Sequence, residues 1–172
     1  MVQIVFMTPR LRCRRWIASD LQAIHATYSD PEVVRYVGDG TPITPAQCEE
    51  WMSVTARNYA TWGYGMFALE SRNDAGLVGF CGLVHPGGQP DAEIKYAFMR
   101  QAWGQGLASE AVPALLRHGH DAHGLDRIVA TVAPANLASQ QVLSKVGARR
   151  IAERLNDDGS TTWVYEWRAG RP

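Results

Sequence analysis

The chain has 172 residues, 46% of them hydrophobic, which is enough for one buried core and short for two independent domains. Lys plus Arg and Asp plus Glu number 17 each, so no overall field attracts nucleic acid or an anionic membrane. The 3 cysteines stand far apart and fit neither a disulfide framework nor a zinc site. We expect one domain over residues 1–172, with no metal, nucleic-acid or membrane partner.

The N-terminal segment MVQIVFMTPRLRCRRWI carries its positive charges after its apolar residues, which is not the pattern of a secretory signal. No run of about 18 apolar residues occurs along the chain. We therefore expect a cytoplasmic protein.

The first part of the chain predicts one strand followed by two short helices. LRCRRWI, from Leu11, alternates as a strand does. Ser19 is expected to cap a helix over SDLQAIHATYSD. Asp30 is expected to cap the next one, with Pro31 at its first position.

A third helix and a meander of strands come next. Thr44 and Gln47 have capping-box spacing, which predicts a helix that runs to about Tyr59. GMFALE, LVGFCGLV and AEIKYAFM indicate three strands, because SRNDAG and HPGGQPD between them have turn composition. Neighbouring strands joined by short turns should pair antiparallel.

The last part predicts a helix to about Ala122, the strand RIVATV, a short helix around SQQVLSKV ended by Gly147, and two strands joined by NDDG. Pro113 falls within the first of these helices, so that helix should kink or start late. This order of elements predicts a mixed α/β (α+β) domain with one central sheet.

The segment QAWGQGLASEA places Gly104 and Gly106 at the start of an apolar helix. Glycine weakens a helix, so its use here indicates a backbone that must approach another group closely. The first amide groups of a helix have no internal partners and lie at the positive end of its dipole. The segment therefore suits a phosphate or diphosphate.

Two known phosphate-binding patterns fit this segment poorly. The chain contains no Walker A string. GQGLAS does match a dinucleotide fingerprint, with Asp126 about 20 residues further on. However, the preceding strand alternates, and Asp126 comes before the strand RIVATV rather than at a strand's carboxyl end. A dinucleotide-dependent oxidoreductase is thus a distant alternative.

A third pattern, Gln/Arg-x-x-Gly-x-Gly/Ala, is filled by Gln101, Gly104 and Gly106. With AEIKYAFM before it and RIVATV and NLASQQVLSKVGA after it, the chain resembles the GNAT superfamily of N-acetyltransferases. The last segment, with Asn136 and Gly147, resembles the RimJ/RimL-type branch in particular. The resemblance implies the acyl-CoA N-acyltransferase fold, whose mixed, mostly antiparallel sheet of about seven strands is flanked by helices.

The resemblance also implies a site for acetyl-coenzyme A (acetyl-CoA). Backbone amides from Trp103 to Ser109 would hold its diphosphate, and its pantetheine arm would lie between residues 98–100 and RIVATV. Asn136 would orient the amide groups of that arm, and Lys145 would meet a phosphate. The implied cofactor-binding residues are Phe98, Met99, Arg100, Gln101, Trp103, Gly104, Gln105, Gly106, Leu107, Ala108, Ser109, Asn136, Ser139 and Lys145.

The implied reaction passes acetyl directly to a primary amine in a ternary complex, since no cysteine lies in the motif. Glu93 is the candidate base, acting through water, although it could be a solvated partner of Lys95. A backbone N–H near Phe98 would polarise the thioester carbonyl. Leu143 replaces the superfamily's usual tyrosine acid, so Ser139 is the candidate proton donor, unless it only bonds the backbone.

The acceptor is expected to be a protein N-terminal α-amine or a small-molecule amine. An α-amine, with a pKa of about 8, needs only a modest base. Asp157 and Asp158 in the last hairpin could attract a cationic amine. A homodimer through terminal strands is common in such families, and a non-catalytic CoA-binding module remains the alternative function.

Overall fold

A computed structural model describes residues 1–171. The strands are β1 (Ile4–Met7), β2 (Leu11–Arg15), β3 (Met66–Ser71), β4 (Leu77–Val84), β5 (Ala92–Phe98), β6 (Arg127–Val132), β7 (Arg149–Leu155) and β8 (Thr161–Arg168). The helices are α1 (Leu21–Tyr28), α2 (Pro31–Val34), α3 (Pro45–Trp62), α4 (Leu107–His123) and α5 (Leu137–Lys145). No helix within the described range is long and apolar enough to cross a bilayer.

All eight strands form one sheet, in the order β1-β2-β3-β4-β5-β6-β8-β7. Only β5 and β6 pair in parallel among these neighbours. The predicted fold class and the antiparallel meander of β3, β4 and β5 are confirmed. The sheet has one strand more than the predicted number of about seven, and the additional strand is β1. Its residues IVFM do not alternate, and the strand is defined by pairing with β2.

The predicted helix caps are confirmed at two positions and wrong at a third. The side chain of Asp30 accepts a hydrogen bond from the Glu32 N–H, and Thr44 forms the predicted capping box. Ser19 caps no helix, since it lies inside a 3₁₀ turn over residues 18–20. That turn is closed by the Asp20 carboxylate, which accepts a hydrogen bond from the Ile17 N–H at 2.9 Å.

Helix α4 begins at Leu107 and includes Pro113, so the prediction of a late start is wrong. Pro113 has no N–H for the carbonyl of Ser109, one helical turn earlier. Burial of one face of the helix in the core offsets this loss. The fully buried side chains of α4 are Ala111, Val112, Leu115 and Leu116.

Helices cover both faces of the sheet. One buried cluster joins α4 and α5 to Ile94 and Phe98 of β5. A second cluster joins α1, α2 and α3 to Ala97 of the same strand. Because side chains alternate along a strand, Glu93 and Lys95 share the face of Ala97, opposite α4. β5 therefore presents the charged side chains of Glu93 and Lys95 on one face, and the apolar side chains of Ile94 and Phe98 on the face that packs against α4.

Candidate functional site

The strands β5 and β6 separate soon after they meet. Their parallel pairing covers only Ala92 with Ile128 and Glu93 with Val129, although β5 continues to Phe98. The Met99 N–H donates to the Val78 carbonyl of β4 at 2.9 Å. Because amides alternate in direction along a strand, the Phe98 N–H points the other way, toward β6. The gap therefore presents backbone donors that an extended chain could use.

A glycine turn lies next to this gap, at the start of α4. Gly104 and Gly106 both have a left-handed backbone with φ of 73°, and Gly106 is the N-cap residue. A Cβ atom at Gly104 would find nothing within 4 Å, so the turn is open on that side. The amides of Leu107, Ala108 and Ser109 have no acceptor within the helix. The turn thus offers a row of free amide donors to an anion.

Side chains of the turn brace it from inside. The Trp103 amide donates to the Arg100 carbonyl at 3.1 Å, so it is engaged within the turn, and the free amides begin after it. The Trp103 indole donates to the Phe98 carbonyl at 2.8 Å. The Gln105 side chain donates to the Gln101 carbonyl at 3.1 Å. These bonds fix the turn against the end of β5.

The residues between β5 and the glycine turn contact the helices on the face of the sheet that α1, α2 and α3 cover. Met99 packs beside the cluster formed with α1, α2 and α3. The guanidinium of Arg100 forms an ion pair with Asp30 at the start of α2. Arg100 therefore links the turn to the helices of that face.

Glu93 lies deep in the sheet and is only 3% exposed, which excludes a role as a solvated strand residue. Its Oε1 forms an ion pair with Lys95 and accepts a hydrogen bond from the Thr131 hydroxyl at 2.5 Å. Its Oε2 accepts a longer one, at 3.4 Å, from the side chain of Gln89. These donors hold the Glu93 side chain at the closed end of the gap, on the face opposite α4.

On the other face of β5, the Tyr96 hydroxyl lies 2.5 Å from the Ser139 Oγ in the first turn of α5. Burial raises the pKa of Tyr96, against a smaller opposing effect of the bond to Ser139, so the phenol stays protonated. Leu143 is buried and has no polar side-chain atom to offer. Sequence reasoning missed Tyr96, although a hydroxyl on an otherwise apolar strand face was a usable signal.

The remaining predicted residues lie on α5. The Asn136 side chain caps the helix by accepting from the Ser139 N–H at 3.2 Å. Lys145, at the other end, lines a cavity of about 360 Å³ together with Arg117 and Trp167. Arg117 is ten residues beyond Leu107 on α4, about 15 Å along the helix. The structure therefore places Lys145 in the same cavity as Arg117 of α4, whereas the glycine turn precedes Leu107 at the start of that helix.

Among residues 1–171 no cluster of His, Cys, Asp and Glu side chains is arranged to hold a metal ion. A cavity of about 170 Å³ lies among α1, α2 and α3, with Tyr28, Asp39 and Trp51 in its lining. These helices cover the face of the sheet to which Glu93 points.

The sequence of the chain matches those of known proteins over most of its length. The sequence model of the acetyltransferase (GNAT) domain matches residues 10–149. The uncharacterized N-acetyltransferase YoaA of Bacillus subtilis (strain 168) is 32% identical over 148 residues, which cover 85% of this chain and 83% of YoaA.

Solved structures share the fold over nearly their whole length. A GNAT-family acetyltransferase from Bacillus anthracis is 26% identical, with a TM-score of 0.79 and 98% of each chain covered. RimL, a ribosomal L7/L12 alpha-N-protein acetyltransferase solved in complex with coenzyme A, is 17% identical, with a TM-score of 0.80 and coverage of 96% of this chain and 98% of RimL. At that identity the likeness to RimL concerns the fold alone.

Proposed function

The chain belongs to the GNAT acetyltransferase family and is an acyltransferase, and from this premise we propose that it transfers acetyl from acetyl-CoA directly to a primary amine. One observation carries the proposal. The gap between β5 and β6 opens beside the glycine turn of α4 and closes at the buried Glu93. A thioester held from the turn into the gap would meet an amine approaching from the face of Glu93.

The turn and the gap together fit a coenzyme A thioester. The free amides from Gly104 to Ser109 would bind its diphosphate. The pantetheine arm would lie along β5 in place of a strand, and the Phe98 N–H would hydrogen-bond the thioester carbonyl. Asn136 uses only its oxygen as a cap, so its NH₂ group remains for an amide of the arm. For Lys145 the contact with a phosphate stays a prediction.

In the proposed reaction, a proton is taken up on one face of β5 and another proton is donated on the opposite face. Glu93 takes one proton from the ammonium through water, and the neutral amine nitrogen then forms its bond to the acetyl carbon. The second proton that the nitrogen loses as it becomes an amide leaves to water. The Phe98 N–H stabilises the negative charge on the carbonyl oxygen. As the carbon–sulfur bond breaks, the pair of Tyr96 and Ser139 supplies the proton that the departing thiolate needs. The base and the acid thus stay apart.

Direct transfer is supported by the cysteines, which are all buried and free. Burial raises the pKa of the Cys13 thiol, followed by smaller effects of Cys81, and burial also raises the pKa of Cys48. A buried thiol with a raised pKa is a poor nucleophile. No covalent acetyl-cysteine is needed, and both substrates would be bound together.

The acceptor would bind on the face that Glu93 shares with α1, α2 and α3. We take a protein N-terminal α-amine as the first acceptor class to test and a small-molecule amine as the second. At the tip of the β7–β8 hairpin, Asp158 already accepts hydrogen bonds from Ser160. Asp157 is exposed there and free to attract a cation. Replacement of both acids by Asn should raise the acceptor KM.

Calorimetric titration with acetyl-CoA, coenzyme A and NADH tests the proposal. The wild type should bind both coenzyme A species and not NADH. Gly106→Trp should abolish that binding, because the side chain would fill the turn. Gly124→Trp is the matched control, since Gly124 has the same left-handed backbone at the opposite end of α4. Loss of binding in both variants would indicate strain rather than a blocked site.

Turnover on a panel of amines completes the test. Acetylation of α-amines or small amines supports the enzyme that we propose. Coenzyme A binding without turnover on any amine would favour a binding module instead. Selective binding of NADH would contradict the proposal and favour a dinucleotide enzyme.

A further inference from the structure

Arg10 extends from the turn between β1 and β2 to the start of α4. Its backbone N–H donates to the Glu110 Oε1 at 2.8 Å, and its Nε donates to the Glu110 Oε2 at 2.6 Å. Its Nη1 donates to the Gln105 carbonyl at 2.8 Å. Arg10 therefore holds both the first turn of the helix and the glycine turn before it.

The remaining nitrogen of this guanidinium faces the glycine turn. A Cβ atom at Gly106 would lie 3.7 Å from the Arg10 Nη2. The Arg10 side chain is 49% exposed, so a ligand at the turn can reach it. A guanidinium fixed by two other groups loses little entropy when it binds a third one. Arg10 is thus held in place with a donor facing the turn.

The position of Arg10 matters because Glu110, its partner, carries a negative charge close to the proposed anion site. Burial raises the pKa of Glu110, but hydrogen bonds from Thr8 and Arg10 outweigh that effect, and the net pKa is lowered. The carboxylate is consequently charged at neutral pH, in the first turn of a helix proposed to bind an anion. Without a partner it would repel a phosphate there. Arg10 neutralises it and adds a donor of its own.

We propose that Arg10 is a diphosphate-binding residue of the acyl-CoA site, an inference that rests on the proposed function. Nε and Nη1 position the guanidinium on Glu110 and Gln105, and Nη2 donates to a diphosphate oxygen above Gly106. The turn between β1 and β2 therefore forms one wall of the cofactor site, although it is about a hundred residues from α4 in sequence.

Titration of Arg10→Gln with coenzyme A and dephospho-coenzyme A tests this role. The Kd for both should rise about 10- to 100-fold, because a charge-assisted bond to the shared diphosphate is lost. The Kd of Arg10→Lys should lie between those of the wild type and Arg10→Gln, since lysine keeps the positive charge but lacks the planar set of N–H donors of a guanidinium. Arg72→Gln is the matched control. Arg72 donates to the Thr8 and Pro9 carbonyls of the same turn and makes no contact with α4 in these bonds.

A truncated thioester separates a binding role from a structural one. S-acetylpantetheine has no diphosphate, so kcat/KM with it should fall at least several-fold less in Arg10→Gln than kcat/KM with acetyl-CoA. Equal losses with the two thioesters, or a loss of affinity in Arg72→Gln as large as that in Arg10→Gln, would assign Arg10 a structural role and overturn the inference. An Arg10→Gln protein with wild-type affinity for coenzyme A would also overturn it. If the wild type itself does not bind coenzyme A, it is the proposed function that fails.

Discussion

The Tyr96 hydroxyl and the Ser139 Oγ lie 2.5 Å apart and join the middle of β5 to the first turn of α5. The bond spans the side of the gap that faces α4 and α5, where the family-level tyrosine position is filled by the buried Leu143. In the proposed reaction, the Tyr96 phenol on β5 takes the place of the tyrosine that the family usually has on α5. Ser139 is within reach to pass the proton on or to orient the phenol.

Replacement of either member of this pair should slow the proton transfer to the thiolate. We expect kcat to fall about 10- to 100-fold in Tyr96→Phe and in Ser139→Ala, with little change in the Kd for acetyl-CoA. Steady-state kinetics together with calorimetry measures both quantities. Ser144→Ala, at an exposed position of the same helix, is the control. A wild-type kcat in Tyr96→Phe would remove Tyr96 from the mechanism.

Glu93→Gln tests the proposed base. The amide fits the same space but cannot take a proton, so kcat/KM for the amine should fall about 100-fold near neutral pH. The loss should shrink as pH rises above the amine's pKa, because the amine then arrives deprotonated. A pH profile of kcat/KM measures this. Glu49→Gln on the exposed surface of α3 is the control. A loss that stays constant across pH would indicate a packing role for Glu93.

Much of the fold could be predicted because its signals are local. The capping box of Thr44 and Gln47 and the turn segments between β3, β4 and β5 specify their own conformations. Strand β1 could not be predicted, because four consecutive apolar residues do not alternate and form a strand only when a neighbouring strand pairs with them. They pair with β2, and Phe6 packs against His118 of α4 with ring centroids 6.0 Å apart.

The candidate site likewise combines a local feature that the sequence predicts with long-range contacts that it does not. The glycine turn was predictable, since Gly104 and Gly106 reflect a backbone conformation that other residues rarely adopt. The contacts that complete the site join distant residues. Tyr96 and Ser139 are 43 residues apart, and Arg10 and Glu110 are 100 apart. No periodicity or short motif in a single sequence specifies such pairs, because they depend on how the sheet and helices pack.

The ion cluster around Arg14 should contribute strongly to stability. Arg14, Asp20 and Glu70 are all less than a tenth exposed, and the guanidinium donates to Asp20 at 2.7 and 2.8 Å and to Glu70 at 2.5 Å. Asp20→Asn removes the carboxylate of a buried two-point ion pair with Arg14, so the free energy of unfolding should fall by about 3 kcal/mol. Urea denaturation measures it. Glu32→Gln, which removes an exposed ion pair with Arg35, should change it by less than about 1 kcal/mol.

Glu166 on β8 should make stability depend on acid pH. Hydrogen bonds from Arg168 and Arg127 lower the pKa of Glu166 from 4.5 to about 2. The folded protein thus binds this proton less readily than the unfolded chain does. The resulting stability is fully present above pH 4.5 and is lost as pH falls from there toward about 2.

Urea denaturation at several pH values below about 5 tests this linkage. The free energy of unfolding of Glu166→Gln should fall less steeply with decreasing pH than that of the wild type, because the variant has no carboxylate to protonate at this position. Glu49→Gln should retain the wild-type slope, since Glu49 lies exposed on α3. Parallel curves for Glu166→Gln and the wild type would show that the arginines around Glu166 contribute no pH-dependent stability.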